Sequence, residues 1–403
     1  MLDLKSIKEA EERLNGVAHH TPFSYAPILS EMSGYEVYLK KENLQQTGAF
    51  KLRGAFNKIA TLIEEGKKGG VVAASAGNHA QGVAFSASHF GIEATIVMPD
   101  STPMNKIQGV ERFGAKVILK GSNYDEAYVY ATKYSNEHQL AFVHPFTDDE
   151  VMSGQGTVAI EMLAEQKGLD AIVVPVGGGG LIAGMGVATK ALSSSTKVIG
   201  IAANGAPAMK QSYDSKDAFC SLSVKTIADG IAVRDASPIT LAHILHTVDA
   251  FELVCEDEIA AAILFLLEKQ KVLVEGAGAV GVAALMHDKI NLPKGSKVGV
   301  VLSGGNIDVT MLSLIIEKGL VKSSRKMKLA VVMVDKPGSL MHFTELLSKA
   351  EANIVHIGYD RTSVDLAFGD ATVSVFLETK GATHQEEVRK LLRDNEFTFE
   401  EIN

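Results

Sequence analysis

The chain has 403 residues, of which 46% are hydrophobic and 22% are charged, and its formal net charge is −9. This length predicts about two to three domains, and the acidic balance without a basic block argues against binding to nucleic acid or an anionic membrane. The two cysteines, Cys220 and Cys255, form neither a metal-ligand cluster nor a disulfide framework, which is typical of a reducing compartment.

The first 17 residues contain acids throughout and predict an amphipathic helix rather than a signal peptide. No apolar run reaches the length that crosses a bilayer. We therefore expect a soluble, cytoplasmic protein without a membrane partner or a nucleic-acid partner, and no metal site is predicted.

From about residue 70, apolar runs alternate with helical patterns. The runs are nearly all apolar, as in strands buried on both faces, and the alternation predicts two doubly wound parallel sheets. The predicted strands are 71–75, 94–99, 116–120, 171–176, 197–203 and 297–304, and the predicted helices include 78–91, 102–114 and 256–270.

The composition changes at a polar, basic stretch, residues 317–328, which is typical of a linker. The remaining segments predict a separate small domain with the order βαββαβ, the ferredoxin-like arrangement. Its predicted elements are strand 329–334, helix 339–351, strands 353–361 and 372–379, helix 384–395 and strand 397–402.

Four consecutive glycines, Gly177–Gly180, lie between a predicted strand and a predicted helix. Exposed N–H groups at such a junction favour a phosphate, although glycines also permit a tight turn. An NAD-dependent oxidoreductase would need an acidic residue about 20 positions further on, where this chain has Ala202, Ala203 and Asn204. No G-K-[ST] follows the glycines either, so we expect a small phosphorylated cofactor.

Two further loops follow predicted strands, at the end where parallel sheets bind ligands. The first carries Ser75, Ala76, Gly77, Asn78 and His79, whose N–H groups at a helix start suit a carboxylate. The second presents Ser303.

Four motifs together resemble the fold-type II pyridoxal-phosphate enzymes, the tryptophan synthase β-like kind, and among them the threonine dehydratases (threonine ammonia-lyases). They are GAFKLRGA (48–55), SAGNHAQG (75–82), the tetraglycine loop and SGGN (303–306), with TIADGIAV (226–233) and VEGAGAVGVAAL (274–285) in addition. The resemblance implies a catalytic domain at 1–320 with a smaller subdomain at about 40–145, a linker at 321–327 and an ACT domain at 328–403.

The resemblance also implies the roles of individual residues. Lys51 would hold pyridoxal 5'-phosphate as a Schiff base and act as the catalytic base; its place at a helix start, between Phe50 and Leu52, predicts a lowered pKa. Asn78 would bond the ring hydroxyl oxygen and Ser303 would face the ring nitrogen. The phosphate would lie on Gly177, Gly178, Gly179, Gly180 and Leu181, and the substrate carboxylate on the loop from Ser75 to His79.

The implied reaction converts L-threonine to 2-oxobutanoate and ammonia, with L-serine to pyruvate as a second reaction, in isoleucine biosynthesis. Serine racemases share this scaffold, but they carry a serine and a metal-binding glutamate where this chain has Ala76 and Ala202. A serine dehydratase or racemase, a hydroxyaspartate ammonia-lyase and a non-catalytic amino-acid sensor remain as alternatives.

The tail resembles an ACT domain, which often binds an amino acid and regulates the enzyme; isoleucine or valine is the expected effector. The alternative is a domain that only mediates assembly, and we expect a homodimer or homotetramer. The candidate effector residues are Pro337, Gly338, Ser339, Leu340, Asn353 and Ile354.

Overall fold

The structure, a computed structural model, describes residues 1–67 and 69–402, which divide into one unit from Met1 to Asp308 and a second from Val309 onwards. The helices and strands of the first unit are α1 (Leu4–Leu14), β1 (Phe23–Tyr25), α2 (Pro27–Ser33), β2 (Glu36–Lys40), α3 (Lys51–Glu64), β3 (Val71–Ala74), α4 (Asn78–His89), β4 (Ala94–Met98), α5 (Met104–Glu111), β5 (Lys116–Leu119), α6 (Tyr124–Glu137), β6 (Ala141–Phe142), α7 (Asp149–Glu165), β7 (Ala171–Pro175), α8 (Gly180–Leu192), β8 (Lys197–Ala203), α9 (Ala208–Ser215), α10 (Pro238–Thr247), β9 (Ala250–Val254), α11 (Glu256–Phe265), α12 (Gly276–Met286) and β10 (Lys297–Val301).

Two sheets form the first unit, as predicted. The larger has the order β1-β2-β10-β7-β8-β9 and the smaller the order β5-β4-β3-β6. All neighbouring strands in both sheets run parallel except β1, which lies antiparallel to β2 at one edge. The non-sequential orders show that helices cross between strands, which is the architecture of an α/β fold.

The central strands could be predicted from apolar runs because both faces of each strand are buried, so that nearly every residue is apolar. Every residue of β3, β4 and β7 is buried. By contrast, β5 lies at the edge of the smaller sheet, and its end residues Lys116 and Leu119 are exposed. Strands β2 and β9 were not predicted, since both mix polar and apolar residues.

A network of buried charges anchors helix α3 to its surroundings. The guanidinium of Arg53, which is 1% exposed, donates two hydrogen bonds of 2.8 Å to the carboxylate of Glu42 and one of 2.6 Å to Glu161 on α7. The amine of Lys40, at the end of β2, lies 2.6 Å from the same Glu161 carboxylate. Burial alone would raise the pKa of Glu42, but the charge of Arg53 lowers it below its usual range.

The second unit begins with helix α13 (Val309–Lys322) and continues as β11 (Lys326–Val334), α14 (Ser339–Lys349), β12 (Asn353–Asp360), β13 (Asp370–Glu378), α15 (Ala382–Asp394) and β14 (Thr398–Glu401). Its sheet is antiparallel with the order β12-β13-β11-β14. The predicted βαββαβ succession is therefore present. Its core lies between the sheet and the two helices α14 and α15, where Phe343 and Leu392 pack against Val331 and Val375.

The segment 321–327, predicted as a linker, lies mostly within a helix and a strand. Helix α13 continues to Lys322, and β11 begins at Lys326, where the amine of Lys326 pairs with Glu317 of the same unit. Only three residues lie between these elements. Within the part of the chain that the structure describes, no helix is both long enough and apolar enough to cross a membrane.

We expect the substitution Arg53→Met to lower the free energy of unfolding by about 3–5 kcal/mol, because it leaves the fully buried carboxylate of Glu42 without its ion-pair partner and leaves Glu161 with Lys40 alone. Urea unfolding of the full chain measures this change. Arg13→Met is the matched control, since Arg13 pairs with Glu64, whose side chain is 56% exposed, and the expected change is below about 1 kcal/mol. Equal losses in both variants would contradict the role assigned to the buried network.

Candidate active site

Lys51 is the first residue of α3, as the sequence predicted. Its side chain is partly buried, and Nζ donates a hydrogen bond of 2.9 Å to the carbonyl oxygen of Pro145. The ring of Phe50 lies 5.4 Å from Nζ. Burial lowers the pKa of Lys51 to about 8, and the negative charge of Glu275 partly opposes this decrease.

A short backbone ladder places Ser303 beside Lys51. The N–H of Phe50 donates to the carbonyl of Ser303 at 3.0 Å, Ala49 pairs with Gly304, and the N–H of Gly305 donates to the carbonyl of Gly48 at 2.9 Å. Ser303 follows β10 and is 3% exposed. The backbone of Ser303 is therefore hydrogen-bonded to Phe50, the residue before Lys51.

The loop after β3 is formed by Ser75, Ala76 and Gly77, and Asn78 begins α4. The N–H of Gly77 donates to Oγ of Ser75 at 3.2 Å, which closes a tight turn. The first N–H groups of a helix have no partner inside the helix, so this junction suits a carboxylate, and the binding of a substrate carboxylate there stays a prediction.

The tetraglycine loop connects β7 to α8, and no side chain larger than hydrogen fits at three of its positions. A Cβ at Gly177 would lie 2.7 Å from Cα of Ile231, one at Gly178 would lie 2.5 Å from the Phe146 ring, and one at Gly180 would lie 2.9 Å from Cα of Phe146. Gly179 has a φ of +86°, a left-handed value that favours glycine. The close packing of Ile231 and Phe146 against the loop therefore requires glycine at these positions, whether or not the loop also binds a ligand.

The segment Pro145–Phe146, which the sequence analysis did not identify, joins the lysine to the glycine loop. Pro145 accepts the hydrogen bond from Lys51, and Phe146 packs against Gly178 and Gly180. This segment links β6 to α7, and no local pattern in it indicates a site. Residues 145 and 146 reach both Lys51 and the glycine loop because the chain passes here from β6 of the smaller sheet towards β7 of the larger sheet.

Two histidines near Lys51, the buried His79 and the partly buried His144, are held neutral. Burial lowers the pKa of His79 to about 3 and that of His144 to about 4, and the charge of Lys51 acts in the same direction. His79 Nε2 lies 2.9 Å from the carbonyl oxygen of Val143, so it carries the proton and donates. His144 Nδ1 accepts the N–H groups of Phe146 and Thr147. These contacts assign both side chains to holding the site's loops.

Glu275 is the acid that the sequence analysis did not assign to the site, although the residue stands in the motif quoted there. It is 3% exposed and accepts a hydrogen bond of 2.8 Å from Nδ2 of Asn78. Burial raises its pKa to about 7, the charge of Asp229 acts in the same direction, and the hydrogen bond from Asn78 opposes both.

The candidate effector residues lie in the second unit at two ends of one sheet. Pro337–Leu340 follow β11 and begin α14, with Gly338 at a φ of +94°. Asn353 and Ile354 begin β12, which runs parallel to β11 because both are antiparallel to β13. Strand length therefore separates the two groups by about 25 Å within one copy, so the fold does not bring them together.

A family model described as pyridoxal-phosphate dependent enzyme matches residues 15–304. The chain belongs to this family. It is 47% identical over 392 residues to the L-threonine ammonia-lyase of Thermotoga maritima, with 97% of each chain covered. The resemblance inferred from the motifs is thereby confirmed, and so is pyridoxal phosphate as the cofactor of the family.

Solved structures show the same fold. The processed form of threonine deaminase isoform 2 from Solanum lycopersicum has a TM-score of 0.73 and 36% identity, covering 78% of this chain and 86% of that chain. Maize serine racemase has a TM-score of 0.74 and 34% identity, covering 80% and 98% respectively. These likenesses support the fold-type II α/β architecture predicted for the first unit.

The residues of the site fit pyridoxal phosphate. Lys51 has an amine whose pKa permits a substantial neutral fraction near pH 8, which is the form that reacts with an aldehyde. The glycine loop leaves its N–H groups open at the start of α8, where phosphate is stabilised. The hydroxyl of Ser303 and the amide of Asn78 add neutral polar groups in the same unit.

We expect Lys51 to titrate near pH 8 rather than near 10.5, its ordinary value. Amine-reactive labelling of the cofactor-free protein across a pH series, quantified by mass spectrometry of the peptide containing Lys51, measures the midpoint. Glu275→Gln should lower that midpoint further, because the carboxylate is the charge that favours the ammonium form. A midpoint near 10.5, unchanged in Glu275→Gln, would contradict both assignments.

Proposed function

We propose that the protein is a pyridoxal-phosphate-dependent ammonia-lyase that converts L-threonine to 2-oxobutanoate and ammonia, with L-serine to pyruvate as a second reaction. The observation that carries the proposal is Lys51: an amine of lowered pKa, joined through Pro145–Phe146 to a glycine loop and through a backbone ladder to Ser303. The 47% identity to an L-threonine ammonia-lyase over 97% of this chain supports L-threonine as the substrate.

We assign the remaining site residues to binding. The N–H groups from Gly177 to Leu181 would hold the cofactor phosphate at the start of α8. Asn78 would hydrogen-bond the ring hydroxyl, and Ser303 would face the ring nitrogen with a neutral hydroxyl. The loop Ser75–His79 would hold the substrate carboxylate through its N–H groups, because the side chain of His79 is already bonded to Val143.

The chemistry of this chain centres on proton transfer at Lys51. When bound, pyridoxal phosphate supplies an electron sink that stabilises negative charge at the substrate Cα. The neutral amine of Lys51 accepts the Cα proton as general base. Threonine loses its β-hydroxyl, which in the net reaction leaves as water with the proton taken from Cα, so that Lys51 ends in its original protonation state. The released aminocrotonate tautomerises and is hydrolysed by water to 2-oxobutanoate and ammonia. The neutral histidines beside Lys51 place no further positive charge next to this amine.

Elimination is favoured over racemisation on this scaffold. Inversion at Cα requires a second proton donor on the opposite face, and Ala76 carries no hydroxyl for that step. Ala202, at the end of β8, is fully buried and offers no metal ligand. A non-catalytic sensor is disfavoured because nothing in its function would require a lysine amine of lowered pKa.

We further propose that residues 1–320 are the catalytic part, 321–327 a linker and 328–403 an ACT regulatory domain that binds isoleucine or valine. The βαββαβ order and the strand order β12-β13-β11-β14 support this assignment. Since Pro337–Leu340 and Asn353–Ile354 lie at opposite ends of the sheet, one effector would contact both groups only between two copies. This arrangement agrees with a homodimer or homotetramer, placed in the cytoplasm, where its free cysteines Cys220 and Cys255 stay reduced.

Release of 2-oxo acid from L-threonine tests the enzyme directly. Lys51→Ala should lower turnover by about 10²–10⁴-fold, because the general base is lost. Lys58→Ala is the matched control: it stands on the same helix, pairs with Asp148 and should retain wild-type turnover. A Lys51→Ala protein with near-normal turnover would overturn the proposed mechanism.

Titration of L-isoleucine during the same assay tests the regulatory proposal. Gly338→Ala should weaken the response to isoleucine while basal turnover is kept, because a side chain strains the left-handed backbone at the candidate loop.

Gly168→Ala is the control for that experiment, since Gly168 also has a positive φ and open space around it. It belongs to the first unit, is not among the candidate effector residues, and should leave the response unchanged. An equal loss of response in Gly168→Ala and Gly338→Ala would show a general effect of strained backbone and contradict the effector role of the loop at Gly338.

A further inference from the structure

Glu275 is a buried carboxylate that the proposed reaction does not use. It precedes α12 and packs against two glycines, since a Cβ at Gly304 would lie 2.5 Å from its Oε1 and one at Gly230 would lie 3.0 Å from the same atom. Such close packing leaves the carboxylate little freedom to turn. Its Oε1 accepts a hydrogen bond of 2.8 Å from Nδ2 of Asn78.

The amide of Asn78 is held from both of its ends. Its Nδ2 donates to Glu275, and its Oδ1 accepts from Nδ2 of Asn306 at 2.8 Å. Nδ2 of Asn306 also donates to the carbonyl of Thr47 at 2.8 Å, which fixes the orientation of that second amide. Above its pKa of about 7 Glu275 is ionised and only accepts hydrogen bonds, and an NH₂ group only donates them, so at such pH the two neighbours select one orientation of the Asn78 amide.

We propose that Glu275 is a positioning residue, which acts through the amide of Asn78 so that Asn78 presents an N–H donor, and not its carbonyl oxygen, to the ring hydroxyl of pyridoxal phosphate. The inference rests on the proposed function of Asn78. A donor at this place stabilises negative charge on the ring oxygen, and an anionic acceptor behind the amide strengthens that donor.

The isosteric variant Glu275→Gln isolates this role. A glutamine amide has the same shape but both donates and accepts, so it no longer dictates which end of Asn78 faces it. We expect the absorption maximum of the bound cofactor to shift and the dissociation constant for pyridoxal phosphate to rise roughly 10-fold. Both quantities are measured on the full-length protein by absorption titration and equilibrium dialysis, independently of turnover.

A double-mutant cycle with Asn78→Ala shows whether Glu275 acts through Asn78. If it does, Glu275→Gln should add little to the effect of Asn78→Ala on the dissociation constant and the spectrum. Full additivity of the two substitutions would overturn the proposal, and so would a Glu275→Gln protein that matches wild type in both measurements.

Asp229→Asn is the matched control for charge. Asp229 is a carboxylate whose charge also acts on Glu275, but it pairs with Lys106 at 3.1 Å. The spectrum should not change in this variant; an equal shift would show a general charge effect and contradict the proposal. Where Glu275→Gln fails to fold, Asn306→Ala removes the donor from the other end of the same amide and should shift the spectrum; an unchanged spectrum would again contradict it.

Loss of the proposed function and loss of the role of Glu275 would give different experimental results. A wild-type protein that binds no pyridoxal phosphate, or releases no 2-oxo acid from threonine or serine, would reject the proposed function. A wild-type protein that does both, with Glu275→Gln indistinguishable from it, would reject only the role of Glu275.

Discussion

The contact of Arg53 with Glu42 and Glu161 is the constraint on which the geometry of the site depends. Arg53 stands two residues after Lys51 on α3, and its guanidinium is buried between two carboxylates from different elements. Moving Arg53 away from these partners would leave buried carboxylate charge uncompensated, which is unfavourable. The ion pairs therefore fix the position of α3. The backbone ladder to Ser303 then holds the start of the same helix against the end of β10. Lys51 lies between these two fixed points.

Electrostatics within the site balance two opposed demands. Burial disfavours the ammonium form of Lys51, while Glu275 favours it, and the result is a pKa of about 8. Complete burial without an acid would remove the positive charge altogether, and a direct ion pair would retain it at the pH of the cell. The same carboxylate is bonded to Asn78 rather than to the lysine amine, whose hydrogen bond goes to Pro145. Glu275 thereby influences Lys51 through space while orienting a different side chain.

In the second unit, as at the start of α8 in the first, glycines with positive φ precede helices. Glycines with positive φ precede both of its sheet-packed helices, Gly338 before α14 and Gly381 before α15. The two ends of its sheet are separated by a full strand, so the candidate effector residues form two groups rather than one pocket within a copy. The proposed binding of one effector to both groups would therefore need two copies of the chain.

The local features of the fold could be predicted from the amino-acid sequence. Apolar runs predicted the buried strands, four glycines predicted the β7–α8 loop, and the position of Lys51 in a helical pattern predicted its place at the start of α3, because these features depend on neighbours in the chain. The motifs also identified the family. The contacts between residues far apart in the chain became visible only in the folded structure. Asn78 and Glu275 are 197 residues apart, and Lys51 and Pro145 are 94 apart. No local pattern encodes such contacts, since they arise only when the ends of parallel strands and the loops that cross between two sheets are packed together.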